Sequence, residues 1–523
     1  MVQNSTNGLR FLKCLEQNGE YLSEIREAIC ATPRPVGEVF PLASSDEFET
    51  GILSALWFVE MESQGDQVRE PSQGTFQWIF REPQPNDARW TSFVDWLRKD
   101  SGQHIYWITG KAGTGKSTLM KFISNHEETD KLGREQDQRL IARTFPVQWE
   151  MFTLLGIPPD SPMTELDLQQ ALERMIKCNL DTRFIFFVDG IDDLENPDAV
   201  VAPFKKPPLF PNIKLCLSSR ARTNPKNGSS PGPSLCLEDL NHPDIIQFTQ
   251  TSLESSRDFS QLRTVSPTQA RELVGAIAEK AAGLFLWARI VVSMLLKGLQ
   301  DGERLSDLRR RLESTPSDLE PLFEKMLDGI PPERIEHASQ IFQIVRAAKS
   351  PIDLLSLSFA DEDDDTLAYD HPIEPLTPDQ EAARCDQMQR RLATHCNGLL
   401  TTSPSPTTPI PTVHHLHPTI RTYLHRPTTW TRLTTPTPPH LALAHASLLR
   451  LRTARLTPTQ HHTHTLTNPP PASLAALLLA AVAATAALDA AAAALHADLW
   501  DALAATTQTL VARAGLCAAP GCW

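Results

Sequence analysis

Residues Gly110, Lys111, Ala112, Gly113, Thr114, Gly115, Lys116, Ser117 and Thr118 run consecutively and meet the pattern G-x-x-x-x-G-K-[ST]. The chemistry of that spacing is anion binding. Glycines let backbone N–H groups turn inward on phosphates, a lysine supplies a full positive charge to the β- and γ-phosphates, and the hydroxyl after it reaches Mg²⁺. A second group lies in "RFIFFVDGIDDLE", where Asp189 closes an apolar run and is placed to hold Mg²⁺ through water. Asp192 and Asp193 stand just beyond, where a carboxylate orients an attacking water. The third is "NIKLCLSSRAR", whose Ser218, Ser219 and Arg220 end another apolar run and bring a guanidinium within reach of a γ-phosphate. Taken singly, each has an ordinary alternative: a glycine turn, an acidic turn, a surface arginine. In this order they predict binding of ATP or GTP with Mg²⁺, and hydrolysis.

Such residues act only if secondary structure brings them together. Ile105–Ile108 reads as a short buried strand and "STLMKFIS" as the helix after the glycine loop, the strand–loop–helix order a phosphate cradle needs. Phe184–Val188 is a continuous apolar run, as expected of a parallel strand buried on both faces, and Ile213–Leu217 reads as another buried strand. The fold expected is an α/β P-loop NTPase with a parallel sheet, within a helix-rich chain of several domains.

Composition narrows the remaining classes. The chain of 523 residues carries a net charge of −14 and no dominant basic face, so nucleic acid is not expected as a partner. Nine scattered cysteines without a CxxC pair predict reduced thiols in a cytoplasmic protein. The N-terminus shows no signal sequence. "GLFLWARIVVSMLLKGL" (283–299) carries Arg289 and Lys297 and reads as a core helix, while the alanine-rich run at 472–488 is just short of a membrane span, so no membrane partner is expected. No lysine follows Lys349 and no acid lies between Asp386 and Asp489, where Thr, Pro, His and Ala dominate and read as linker. The acidic run 361–365 reads as a solvated loop. The histidines at 461–464 lack a nearby carboxylate or cysteine to complete a metal site.

Beyond single motifs, "TFQWIF", "YWITGKAGTGKSTLMKFI", "FVDGIDDLE", "KLCLSSRAR", "LEDLNHPDIIQF", "AAGLFLWARIVVSMLLKGL", "CNGLL" and "VHHLHPTIRTYL" together resemble the fungal NACHT-type NTPases, a signal-transducing class related to NOD-like receptors. The resemblance implies a nucleotide-controlled switch that self-associates when the triphosphate is bound and acts on an effector protein. It also implies that His417, in the winged-helix motif, touches the β-phosphate of the closed state. The implied organisation is an N-terminal helical segment (1–74), the NTPase domain (75–237), a helical domain (238–330), a winged-helix-like domain (331–428) and a linker with a helical tail (429–523).

Three features depart from that family, and a fourth, Phe285, departs only from its animal members. The segment after Lys131 is too short for the strand and helix expected there, which predicts a sheet missing one strand, with Phe184–Val188 at a bare edge unless "RLIARTF" pairs with it. Asp193 stands where relatives have Glu, Phe285 where animal relatives have the proline near adenine, and Pro418 and Thr422 alter the winged-helix motif. The rival to a hydrolysing switch is a nucleotide-binding or protein-binding scaffold without catalysis; a metabolic kinase is disfavoured because no acceptor motif follows the loop.

Overall fold

The computed structural model describes residues 68, 70–83, 89–98, 103–135, 138–144, 183–193, 201, 213–220, 232–348, 351–364, 366–404, 409–433, 438–455 and 493–513. The expected N-terminal helices, the 461–464 histidines and the alanine-rich run at 472–488 lie outside these residues. The chain divides into two compact units, one ending at Leu322 and the other beginning at Phe323.

In the first unit, five strands form one parallel sheet: β1 (Ile105–Thr109), β2 (Gln138–Thr144), β3 (Arg183–Val188), β4 (Ile213–Ser219) and β5 (Ser234–Cys236), in the order β2-β3-β4-β1-β5. The apolar runs become the central strands because both of their faces are covered. Tyr106 and Ile108 pack with α1 (Phe93–Arg98) and α2 (Lys116–Asn125) on one face, and Ile213, Leu215 and Leu217 pack with Ile191 and Val201 on the other. In α2 the buried Leu119, Met120 and Ile123 follow the helical period and lie in the same core as Phe93, Trp96 and Ile185. Each fully buried side chain of this size contributes about 1.5–3 kcal/mol. Lys214, a charge inside the buried strand β4, is satisfied at the end of α1, donating to Trp96 O at 2.8 Å and Leu97 O at 2.5 Å.

Of the two alternatives for the edge of β3, the structure has the covered one. After α2 the chain forms α3 (Glu127–Glu135) and then β2, which pairs in parallel with β3 from Leu140↔Phe184 to Thr144↔Val188. "RLIARTF" therefore supplies the flanking strand, and the ladder groups of β3 are paired on both sides.

Beyond β5, α4 (His242–Glu254), α5 (Arg257–Val265), α6 (Pro267–Ala281), α7 (Phe285–Gln300) and α8 (Leu305–Glu313) complete this unit. The core-helix expectation holds for α7, which buries Leu286, Trp287, Ala288, Ile290, Val291, Val292, Leu295 and Leu299 and leaves Lys297 exposed. No helix among the described residues is long and apolar enough to cross a membrane.

The second unit combines α9 (Pro332–Ala347), α10 (Leu354–Ala360), α11 (Pro378–His395), α12 (Pro418–Leu424) and α13 (Pro439–Arg452) with a three-stranded antiparallel sheet. Its strands β6 (Ile352–Asp353), β7 (Leu400–Ser403) and β8 (Thr412–His415) run in the order β6-β8-β7, and α14 (Ala493–Arg513) packs on α13. Pro418 occupies the first turn of α12, where its missing N–H has no helical partner to lose. The acidic run at 361–365 is not wholly solvated. Asp361 is buried between His337 Nε2 (2.6 Å) and Arg391 Nη1 (2.8 Å), and Glu362 accepts from Arg384 at 2.6 Å.

Candidate functional site

Because the strands are parallel, β1, β3, β4 and β5 end on one side of the sheet, and their register decides which residues meet. Thr109 pairs with Ser219 and with Cys236, and Val188 with Leu217. The residues one step further on are Gly110, Asp189, Ser218 to Arg220, and Leu237 with Glu238. The separate sequence motifs converge here.

The glycine loop turns on two left-handed residues, Gly113 at φ +82° and Gly115 at φ +97°; a Cβ on Gly113 would also press on the Leu286 Cβ at 3.0 Å. Gly115 is the N-cap of α2 and makes no side-chain cap, so the helix opens with backbone N–H groups and its positive dipole end at the loop. Lys116 folds back over the loop and donates to Gly110 O at 2.8 Å and Lys111 O at 2.9 Å. Burial lowers its pKa, against which the nearby carboxylates of Asp189, Asp192 and Glu238 work. Thr114, fully buried, ties the loop to itself by donating from Oγ1 to Lys111 O at 3.0 Å. Ala112 and Thr118 lie in the same loop and first turn.

Asp189 is buried at the end of β3 and is hydrogen-bonded by the hydroxyls of Ser117 and Ser218, while Ser218 Oγ accepts from Gly190 N–H at 2.9 Å. Burial raises its pKa; the two hydroxyls and Lys116 oppose that shift. A hydroxyl and a carboxylate in contact beside a lysine fit Mg²⁺, which keeps several waters and takes only one or two protein ligands plus phosphate. No cluster of three or more His, Cys, Asp or Glu suited to a metal occurs among the described residues. Ser117 and Asp189 would hold the ion, which would offset charge on the phosphates.

Asp192 and Arg220 meet at the ends of their strands. Arg220 Nε lies 3.1 Å from Asp192 Oδ2 and its backbone N–H donates to Oδ1 at 3.1 Å. Asp193 closes the short turn Ile191–Asp193 that carries Asp192, and its side chain lies outside the described part. His417 belongs to the second unit, where it is the N-cap of α12 and its Nδ1 accepts from Thr419 N–H at 3.1 Å.

Two residues of the site escaped the sequence reading. Lys111 N–H donates to Glu238 Oε2 at 3.1 Å, and Asn241 Nδ2 donates to Thr114 O at 2.6 Å. Both stand in "LEDLNHPDIIQF", and the available signal was their place directly after a buried parallel strand, where such sheets collect ligands. Phe285, at the start of α7, joins an aromatic cluster with Phe76 (6.0 Å between ring centroids) and Phe248 (5.5 Å), and the Phe76 ring lies 3.5 Å from where a Gly115 Cβ would be. Asp244 fixes that cluster by accepting from Trp78 Nε1 at 2.8 Å and from Phe76 N–H at 3.3 Å; burial raises its pKa.

Comparison with known proteins finds the following similarities. A family model described as "Nephrocystin 3, N-terminal" matches residues 74–145, which include the glycine loop, and a second, "Domain of unknown function (DUF7791)", matches residues 329–466. No curated protein gives a significant sequence match. Similar solved structures include the Aeropyrum pernix ORC1 protein in complex with DNA, at 13% identity over 63% of this chain and 88% of that one, with a TM-score of 0.28. Cdc6p of Pyrobaculum aerophilum is similar at 12% identity over 65% and 90%, TM-score 0.29, and Drosophila ORC bound to DNA at 16% over 63% and 91%, TM-score 0.26. The chain is an α/β P-loop NTPase by fold, helix-rich and of more than one domain. The exclusion of nucleic acid as a partner is withdrawn, since two of these structures hold DNA. Its physical weakness is that net charge is a sum over the whole chain and says nothing of a local face.

Proposed function

We propose that this protein is a nucleotide-dependent signalling switch of the fungal NACHT type, in the class related to NOD-like receptors, which binds ATP or GTP with Mg²⁺ and hydrolyses it slowly in the cytoplasm. The observation that carries the proposal is the convergence, at one end of a parallel sheet, of Lys116 on its own loop, the Ser117–Asp189 contact and the Asp192–Arg220 pair. Lys116 and the α2 N-terminus bind and orient phosphates. Ser117 and Asp189 hold Mg²⁺. Asp192 holds Arg220 at the strand end, where a guanidinium answers to charge on the terminal phosphate. Free Cys216, Cys236, Cys385 and Cys396 suit a reducing compartment. His417 is proposed as the closed-state phosphate contact on the resemblance alone.

A second reading, nucleotide binding without hydrolysis, is supported by the commitment of Asp192 to Arg220, which withdraws one of the two candidate water-orienting carboxylates. Single-turnover release of labelled γ-phosphate separates the two. A switch of this kind turns over on the order of 10⁻³ s⁻¹, the scale of NTPases without an added arginine, and Asp193→Glu raises that rate. Absence of release from wild type and from Asp193→Glu, with binding intact, decides for the non-catalytic reading.

A further inference from the structure

The phosphate loop is gripped on its outer side by side chains to which the nucleotide chemistry assigns no role. Glu238 accepts from Lys111 N–H at 3.1 Å, and a Cβ on Gly110 would come within 2.7 Å of the same carboxylate oxygen. Asn241, fully buried, splits its amide between two backbone carbonyls, Thr114 O at 2.6 Å and Gly283 O at 3.1 Å. A third tie is backbone only: Leu286 N–H donates to Gly113 O at 2.9 Å. The turn between α6 and α7, Ala282 to Leu284, is thereby joined to the loop through Asn241, and the first turn of α7 through Leu286; Gly283 is pressed so closely on the Glu238 backbone that any Cβ would collide.

Asn241 Oδ1 is buried without a hydrogen-bond partner. An unpaired buried acceptor costs stability, so what favours asparagine here is its donor, shared between the loop and the turn. A purely apolar residue would fill the space without joining them.

We propose that Asn241, with Glu238, is a positioning residue that couples occupancy of the phosphate loop to the α6–α7 turn, so that the helical segment after the sheet reports what the loop holds. The inference rests on the nucleotide reading above. Loop carbonyl Thr114 O and turn carbonyl Gly283 O share one amide, so ordering of the loop on phosphate is passed to the turn without a change of partner.

Hydrogen exchange on the full chain, with and without the Mg²⁺ complex of a non-hydrolysable ATP or GTP analogue, tests this. In wild type the analogue slows exchange about tenfold or more in the loop peptide and in the peptide spanning Ala282–Leu286. In Asn241→Ala, at analogue concentrations giving the same occupancy, the loop still slows and the turn does not. Glu238→Ala, which leaves Asn241 in place, is expected to weaken the slowing of both and serves if Asn241→Ala fails to fold. A turn that slows equally in wild type and both variants, or that never slows while the wild-type loop does, overturns the coupling. No binding of either analogue to wild type overturns the nucleotide reading and the coupling with it.

Discussion

Asp189 sets stability against function. A carboxylate whose folded-state pKa is raised binds its proton more tightly in the native state, so folding stability falls as pH rises from the unfolded value to the folded one and stays reduced above it. Asp189→Asn removes that burden while keeping an oxygen to accept from Ser218. The ligand-free variant should therefore melt higher than wild type at pH 7 and lose the Mg²⁺ dependence of nucleotide binding; a lower melting temperature with Mg²⁺ dependence intact would show that the carboxylate is structural. The Asp192–Arg220 pair makes the opposite prediction. Arg220 is 57% exposed, so the pair contributes less than about 1 kcal/mol to stability. Asp192→Asn and Arg220→Ala should leave the melting temperature unchanged and lower single-turnover hydrolysis to the same extent, with the double variant no lower than either. Additive losses would mean that the two act independently.

The central elements were legible because each has a local signature. The runs in β1 and β3 are continuous and apolar, that in β4 is apolar but for Lys214, and the glycine loop sits between strand and helix. Strand β2 was harder: Arg139 and Arg143 interrupt its apolar pattern, and only pairing with β3 decides that it is a strand. Those charges also suit an edge. The contacts of Glu238 and Asn241 span 127 residues of sequence, which no periodicity encodes. The same applies to Lys214, which reads as an error in a buried strand until the end of α1 is placed beside it. Lys214→Met leaves Trp96 O and Leu97 O without their donor and should destabilise the first unit by about 1–3 kcal/mol in denaturant titration. Proline at both Leu140 and Ile141 blocks whichever of two adjacent N–H groups faces β3, unpairing an apolar edge. Soluble yield should fall sharply; an unchanged yield would show that β2 does not protect β3.

At the scale of the molecule, two compact units predict two unfolding transitions that respond to different variables. Nucleotide at a hundred times its Kd should raise the transition of the parallel-sheet unit by about 2.7 kcal/mol. The second unit should respond to pH through His337, whose pKa is raised first by its hydrogen bond to the buried Asp361. A raised histidine pKa gives stability that is present in full below the unfolded value and lost as pH climbs through the folded one. His337→Gln should flatten that dependence, followed by scanning calorimetry from pH 5 to 9. Asp361→Ala, which strips a buried carboxylate from Arg391 and His337, should cost about 3–5 kcal/mol.

The account turns on whether the loop at Gly110–Ser117 holds a triphosphate. Isothermal calorimetry of the full chain with Mg²⁺–ATP and Mg²⁺–GTP, beside Lys116→Ala, measures this directly. Lys116 supplies the positive charge placed on the β- and γ-phosphates, and its loss should weaken binding by ~1.5–3 kcal/mol, the scale of a hydrogen bond to a charged group. Saturable wild-type binding of at least one nucleotide, reduced by that amount in the variant, is the predicted result. No binding to wild type, or equal affinity of wild type and Lys116→Ala for both nucleotides, would contradict it.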